Sequence, residues 1–316
     1  MSKRAFTFPG QGSQAVGMGR DLAAAFPEAR AVFDEVDAAL GQKLSTLMFE
    51  GPEEALRLTE NAQPALMAVS LAVVRVLAAR GATVEKLADY VAGHSLGEYS
   101  ALCAAGALGL ADTARLLKLR GQAMQTAVPV GKGAMAAILG LDMAAVRSAV
   151  AEAASAGVCA VANDNAPGQV VISGEVAAVE RASALAKEAG AKRALPLPVS
   201  APFHCILMSP AADAMAEALR TVEITAPVVP LVANVTARPI RDPAEILVRL
   251  VEQVTAMVRW TESVGWLVGE GGVTELVELG AGKVLTGLAK RIAPDAAAVS
   301  IGTPADVDAF LASLSE

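Results

Sequence analysis

The sequence predicts an α/β fold: a parallel sheet flanked by helices, with a small ferredoxin-like βαββαβ unit inserted. Three observations carry that expectation. Short apolar runs alternate with helix-compatible runs through residues 1–127 and again through 198–316. The stretch 128–197 departs from this and orders strand, helix, strand, strand, helix, strand. Finally, Gly93-His94-Ser95-Leu96-Gly97 sits where a short strand hands over to a helix, the setting of a nucleophile elbow in a hydrolase-like core. The domains expected are thus a core of residues 1–127 and 198–316 and a subdomain of residues 128–197.

Each element has a local reason. Residues 4–8 read as the first strand, closed by Pro9-Gly10. Residues 63–80 form an apolar helix that Gly81 caps. Residues 89–92 lead as a strand into the elbow, and 98–105 continue as helix. Asp112 suits the N-cap of a helix running to about Thr126. In the insert, strands are expected at 133–139, 158–162, 169–173 and 192–196. Asp142 caps a helix to Ala156, residues 163–168 form a loop, and 175–189 form the second helix. Beyond the insert come a helix at 205–219 and buried strands at 228–232 and 273–278. Gly280-Ala281-Gly282 opens a helix to Ile292, and 296–301 is the last strand.

Composition narrows the function classes. A chain of 316 residues, 54% hydrophobic and 19% charged, can bury a large core. Aromatics at 3% and a net charge of -7 argue against base stacking and against anionic surfaces such as nucleic acid. Cys103, Cys159 and Cys205 have neither zinc spacing nor an even disulfide framework, so a reducing compartment and no metal site are expected. The start, Met1-Ser2-Lys3-Arg4, leads into a strand without the apolar core of a signal peptide. The longest run free of Asp, Glu, Lys and Arg, 194–212, holds Pro196, Pro198, Pro202, Pro210 and His204 and makes a poor membrane helix. A soluble, cytoplasmic chain is expected.

Ser95 at the elbow is the candidate nucleophile, and a serine hydroxyl needs a base. His94 adjoins it on a tight turn and should point elsewhere. His204, in Ser200-Ala201-Pro202-Phe203-His204, is either the base or a residue at the start of the following helix. An oxyanion hole needs two donors. The N–H of Leu96 supplies one. Pro9-Gly10-Gln11-Gly12-Ser13-Gln14 supplies the second, or is a phosphate loop, or a plain turn; it lacks the P-loop ending and the dinucleotide spacing. Asp112, Asp142 and Asp164 read as cap or loop residues, so no catalytic acid emerges between Ser95 and His204. Arg120, by position alone, is a surface helix arginine.

Six blocks together resemble the malonyl-CoA:acyl carrier protein transacylase family of fatty-acid synthesis, over nearly the whole chain. They are Phe8–Gln14, Gly93–Tyr99, Leu119-Arg120-Gly121, Asn163–Gln169, Ser200–His204 and Glu278-Leu279-Gly280. The resemblance implies ping-pong transfer. Ser95 would take the malonyl group from malonyl-CoA and pass it to the phosphopantetheine thiol of acyl carrier protein. His204 would be general base and acid, Gln11 and Leu96 the oxyanion hole, and Arg120 the holder of the malonyl carboxylate. A backbone carbonyl would orient the histidine, with Gln253, Asn163 and Phe203 lining the pocket. Phe203 with Leu96 resembles members that select malonyl over a methyl-branched unit. No bound cofactor, no metal, no membrane or nucleic-acid partner and a monomeric state are expected. Lys192, Arg193 and Arg291 are candidates for docking the acidic carrier. The chain departs from the family where Met257, rather than proline, precedes Val258-Arg259-Trp260. The competing readings are a serine thioesterase or esterase and a non-enzymatic carrier-binding module.

Overall fold

The computed structural model describes residues 3–199 and 201–314. Met1 and Ser2, and Ser200 at the head of the His204 motif, lie outside the described residues. In chain order the strands are β1 (Arg4–Phe8), β2 (Tyr90–Gly93), β3 (Gly133–Leu139), β4 (Cys159–Ala166), β5 (Gln169–Glu175), β6 (Arg193–Pro196), β7 (Leu231–Val232), β8 (Pro239–Ile240), β9 (Glu275–Leu279) and β10 (Ala297–Ile301).

The larger sheet has the order β10-β9-β1-β2-β7-β8. Its pairs are parallel from β10 to β7, as an α/β alternation requires. The edge strand β8 is the exception to the expected parallel sheet, since it runs antiparallel to β7. The intervening chain is too short for a crossover helix, so it can only fold back on itself. Ala237, at φ 51, and an Ala233 N–H bond to the Arg238 carbonyl make that return. The smaller sheet has the order β4-β5-β3-β6 with antiparallel pairs throughout, the ferredoxin-like arrangement.

Alternation along the small sheet gives it two apolar faces. Ile138, Val170 and Ile172 pack under the helices Met143–Ala153 and Val176–Glu188 through Val146 and Val179. Met135, Ala162 and Val171 point the other way, into the main core. At the centre of that core lies the helix Thr59–Ala79, packed on Pro27–Leu40 and Leu110–Thr126. Among the described residues it is the helix long and apolar enough to cross a membrane, and it is 83% buried inside the protein.

Several local expectations are corrected. Residues 163–168 were expected as a loop, but β4 runs to Ala166. Its polar residues signal a turn, yet β5 pairs one side while Val258 pairs the other: Val258 N–H to Ala162 at 2.9 Å and Asp164 N–H to Val258 at 2.9 Å. Register shifts at Val161/Asn163 and Asp164/Ala166 absorb the mismatch. Asp112 is no cap, because the helix Leu110–Thr126 already begins after Gly109; Asp112 bonds Arg115 one turn on. Asp142 does cap its helix, accepting from Ala145 N–H at 2.8 Å. Beyond His204 a 3₁₀ turn, Ile206–Met208, precedes the helix Ser209–Leu219. After Gly282 the helix starts only at Val284, where buried Glu278 accepts the N–H groups of Leu285 and Thr286. Strand β7 is short because Pro230 has no N–H for the ladder and the Val228 N–H is spent on the Ala105 carbonyl at 2.9 Å.

β1 and β2 pair with Phe8 opposite Gly93, so the turns after both strands open on one edge of the sheet. That edge, at the carboxyl ends of parallel strands, is where open α/β sheets place their clefts. The close approach is steric as well as topological. A Cβ on Gly97 would stand 2.2 Å from the Phe8 carbonyl oxygen, and one on Gly93 would stand 1.9 Å from the Gly97 backbone. Gly97→Ala is therefore expected to destabilise the fold by about 2–4 kcal/mol. Urea unfolding measures this; a variant with wild-type midpoint and slope would contradict the contact.

Candidate active site

The elbow holds Ser95 at φ 54. A non-glycine residue there is strained and persists only where its surroundings fix it. Here they do. The His94 N–H donates to Phe8 O at 3.0 Å, and the Ser95 N–H donates to Asn234 Oδ1 at 2.8 Å. Asn234 in turn donates from Nδ2 to Gly93 O at 2.7 Å, closing a clamp around the turn. The helix Gly97–Ala104 starts immediately, so the Leu96 N–H faces outward from its first turn. Among the described residues, neither the Leu96 nor the Gln11 N–H has a protein acceptor. The Gln11 side chain is anchored separately, donating to Thr59 Oγ1 at 3.2 Å.

Ser95 Oγ lies 2.8 Å from His204 Nε2. His204 Nδ1 lies 2.9 Å from the carbonyl oxygen of Gln253. A carbonyl can only accept, so Nδ1 carries the proton and Nε2 presents a lone pair to the serine hydroxyl. The carbonyl is available because Gln253 ends the helix Pro243–Gln253, whose last carbonyls have no partner within the helix. Met257 leaves this end intact: Ala256 N–H still closes on Glu252 O at 3.1 Å. His204 itself sits at φ 58, a second strained residue aimed at the same hydroxyl.

Arg120 is buried, contrary to its sequence position, at 1% exposure. Nη1 donates to Gln63 Oε1 at 2.8 Å, and Nη2 donates to Gln253 Oε1 at 2.8 Å and to Ser95 Oγ at 3.2 Å. The Tyr99 ring lies against the guanidinium, 5.7 Å from its carbon to the ring centroid. Nε has no partner, and Arg120 forms no ion pair with a carboxylate among the described residues. Buried charges are ordinarily paired, so this one is set to receive an anion.

A cleft of about 340 Å³ opens over these groups, walled by Gln11, Ser95, Arg120, Asn163, Phe203 and His204. Met124, Met135 and Leu197 make its apolar side. Asn163 reaches the cleft from β4 but makes no hydrogen bond to His204, so it is a wall residue and not an orienting one. His94 turns away from Ser95: Nε2 meets Asn165 Oδ1 at 2.8 Å and the ring lies near Trp260. Lys192, Arg193 and Arg291 are exposed outside the cleft, and Arg291 donates to the Pro167 carbonyl at 2.7 Å. Among the described residues no group of His, Cys, Asp and Glu could hold a metal ion.

Sequence reasoning missed Gln63, Asn234 and Glu98. Gln63 follows the polar start Thr59-Glu60-Asn61 of its helix, yet it is 1% exposed. Asn234 follows buried β7 almost at once. A lone polar side chain inside an apolar run is the signal that would have found Asn234; Gln63, close behind Glu60 and Asn61, carries no such signal.

Burial pushes His204 down to about 3, with the Arg120 charge acting in the same direction. The unfolded chain would protonate this imidazole near 6.5 while the folded chain holds it neutral. The stability linked to it is therefore full above that pH and declines as pH falls toward about 3. Imidazole NMR signals of His204 are expected to stay at neutral positions from about pH 8 to pH 5; a midpoint at the ordinary histidine value would contradict the burial argument.

Comparison with known proteins agrees over the whole chain. A family model described as acyl transferase domain matches residues 5–264. A Bacillus subtilis protein named malonyl CoA-acyl carrier protein transacylase is 47% identical, covering 100% of this chain and 98% of that one. The Escherichia coli K12 protein of the same name is 50% identical over 98% of this chain and 99% of its own. Among solved structures, an acyl-carrier-protein S-malonyltransferase from Bartonella henselae is 57% identical, with a TM-score of 0.97 over 99% of this chain and 100% of that one. A malonyl-transacylase solved in complex with a type II polyketide acyl carrier protein is 47% identical, with a TM-score of 0.95 over 99% of this chain and 100% of that one.

Proposed function

The chain belongs to the acyl transferase domain family, and on that footing we propose how its residues divide the work. The enzyme transfers a malonyl group from malonyl-CoA to acyl carrier protein, the step that supplies malonyl units to fatty-acid and polyketide synthesis. In the proposed first half-reaction Ser95 Oγ gives its proton to His204 Nε2 and attacks the thioester carbonyl. The Leu96 and Gln11 N–H groups receive the oxyanion. Collapse breaks the carbon–sulfur bond, and His204 returns the proton to the departing coenzyme A thiol, leaving malonyl-Ser95. In the second half the phosphopantetheine thiol of the carrier loses its proton to His204 and attacks the ester. His204 then reprotonates Ser95 as the malonyl thioester leaves.

The observation that carries this reading is the buried guanidinium of Arg120, which has no carboxylate partner among the described residues and lies 3.2 Å from the nucleophile hydroxyl. A fork of N–H donors matches a carboxylate bidentately, so an acyl group ending in a carboxylate fits where a plain acyl group leaves the charge unmet. Phe203, at the cleft wall beside His204, would crowd a methyl branch on the acyl α-carbon. The chemistry uses no resident cofactor in this scheme. We further infer that residues 128–197 form a subdomain that supplies one wall of the cleft, and that the enzyme works as a cytoplasmic monomer.

Mixing the protein with malonyl-CoA is expected to add one malonyl mass, which then moves to added carrier protein with little free malonate. Ser95→Ala should take up none. Rapid release of free malonate would instead make the chain a hydrolase. Arg120→Ala is expected to lower kcat/KM for malonyl-CoA roughly a thousandfold while sparing acetyl-CoA, and Arg120→Lys should rescue only in part. Equal losses on both thioesters would remove Arg120 from the carboxylate role.

A further inference from the structure

Glu98, the second residue of the helix after the elbow, has no part in the scheme above, yet it is 1% exposed and lies beneath the nucleophile. Its Oε2 accepts from Gln253 Nε2 at 2.5 Å and from the Asn234 N–H at 3.4 Å. Among the described residues its Oε1 has no partner. Keeping a carboxyl here is expensive: burial pushes its pKa up to about 8. An apolar residue would pack without that penalty, so the carboxyl needs a local reason.

The reason lies in the Gln253 amide, which has a different task at each end. Oε1 accepts from Arg120 Nη2 at 2.8 Å. Nε2 faces oxygens only: Glu98 Oε2, the Ser95 carbonyl at 3.0 Å and Asn234 Oδ1 at 3.4 Å. A guanidinium has no acceptor and a carbonyl has no donor. Turning the amide over would therefore set N–H against N–H at Arg120 and oxygen against oxygen at the other end. Glu98 makes the shortest of the contacts that forbid this turn.

We propose that Glu98 is a positioning residue for malonyl selectivity: by holding the Gln253 amide it keeps an oxygen against Arg120, and so keeps the guanidinium aimed at the acyl carboxylate. Glu98 also accepts the Asn234 N–H, but at 3.4 Å against 2.5 Å for Gln253 Nε2, so the effect falls chiefly on the Gln253 side chain. The backbone carbonyl that orients His204 belongs to a helix end, which the amide rotamer does not move. Loss of Glu98 should thus harm recognition of the carboxylate far more than the acyl-transfer chemistry itself.

The proposal rests on Arg120 as holder of the carboxylate, so the test reads both. Malonyl- and acetyl-CoA are compared as substrates of wild type, Arg120→Ala, Glu98→Met and Glu98→Gln, with thermal unfolding of each. Glu98→Met, which keeps length and loses the acceptor, is expected to cut the malonyl-to-acetyl ratio of kcat/KM about tenfold, mainly through a higher KM for malonyl-CoA. Glu98→Gln still offers an oxygen to Gln253 and should restore the ratio to within about threefold of wild type. If Glu98→Met is not recovered folded, Glu98→Asp draws the carboxyl back from Gln253 and should lower the same ratio at least about threefold. A purely structural role would lower both substrates together and leave the ratio unchanged. That outcome, with Arg120→Ala losing malonyl transfer selectively, overturns the proposal alone. An unchanged ratio in Arg120→Ala overturns the carboxylate reading and this proposal with it.

Discussion

The hydrogen bond from His204 Nδ1 to the Gln253 carbonyl, 2.9 Å long, is the constraint on which the cleft depends. Many serine enzymes use a buried carboxylate at this place. A carboxylate would stabilise the imidazolium more strongly, but it would bring a further charge into a buried site. A neutral carbonyl sets the tautomer without adding charge. The imidazole is held well below the ordinary histidine range by burial and by Arg120. In the base role proposed for it this is enough, because a thioester, with its good leaving group, demands less of a base than an amide does.

Gln253 ties this constraint to the rest of the site, since one residue orients the imidazole with its backbone and steadies the guanidinium with its side chain. The helix Pro243–Gln253 delivers both because it ends at the cleft, and Asp242 caps its other end by accepting from Ala244 N–H. Ser95 and His204 both occupy the left-handed region. Their strain is tolerated because Asn234, Gly93, Phe8 and Gln253 over-determine the positions of their atoms.

The small sheet takes part in the same construction. One of its faces is sealed under its own two helices, while the other feeds Met135 and Ala162 into the main core. β4 is held on both sides, by β5 and by the Val258 segment, so Asn163 stands at the cleft wall on a fixed strand and not on a loose loop. The apolar side of the cleft thus comes from both sheets' surroundings, and the polar groups come from the carboxyl edge of the larger sheet and the helices around it.

Local pattern in the chain was enough for the alternation of elements, the order of strands and helices in 128–197, and the glycine-flanked turn at Ser95, because these depend on neighbours a few residues apart. With two histidines in the chain and one of them inside the turn, the partner of Ser95 was also within reach. Only the folded chain decided the rest. The polar run 163–166 became strand because Val258, far away in sequence, supplied its missing pairs. Arg120 left the surface because Gln63 and Gln253, 57 and 133 residues distant, gather its donors in the interior. Glu98 acquired its place from the same convergence. Side-chain pattern records which residues prefer burial, but a buried charge is set by partners that meet only when the chain closes, and no local signal carries their distance.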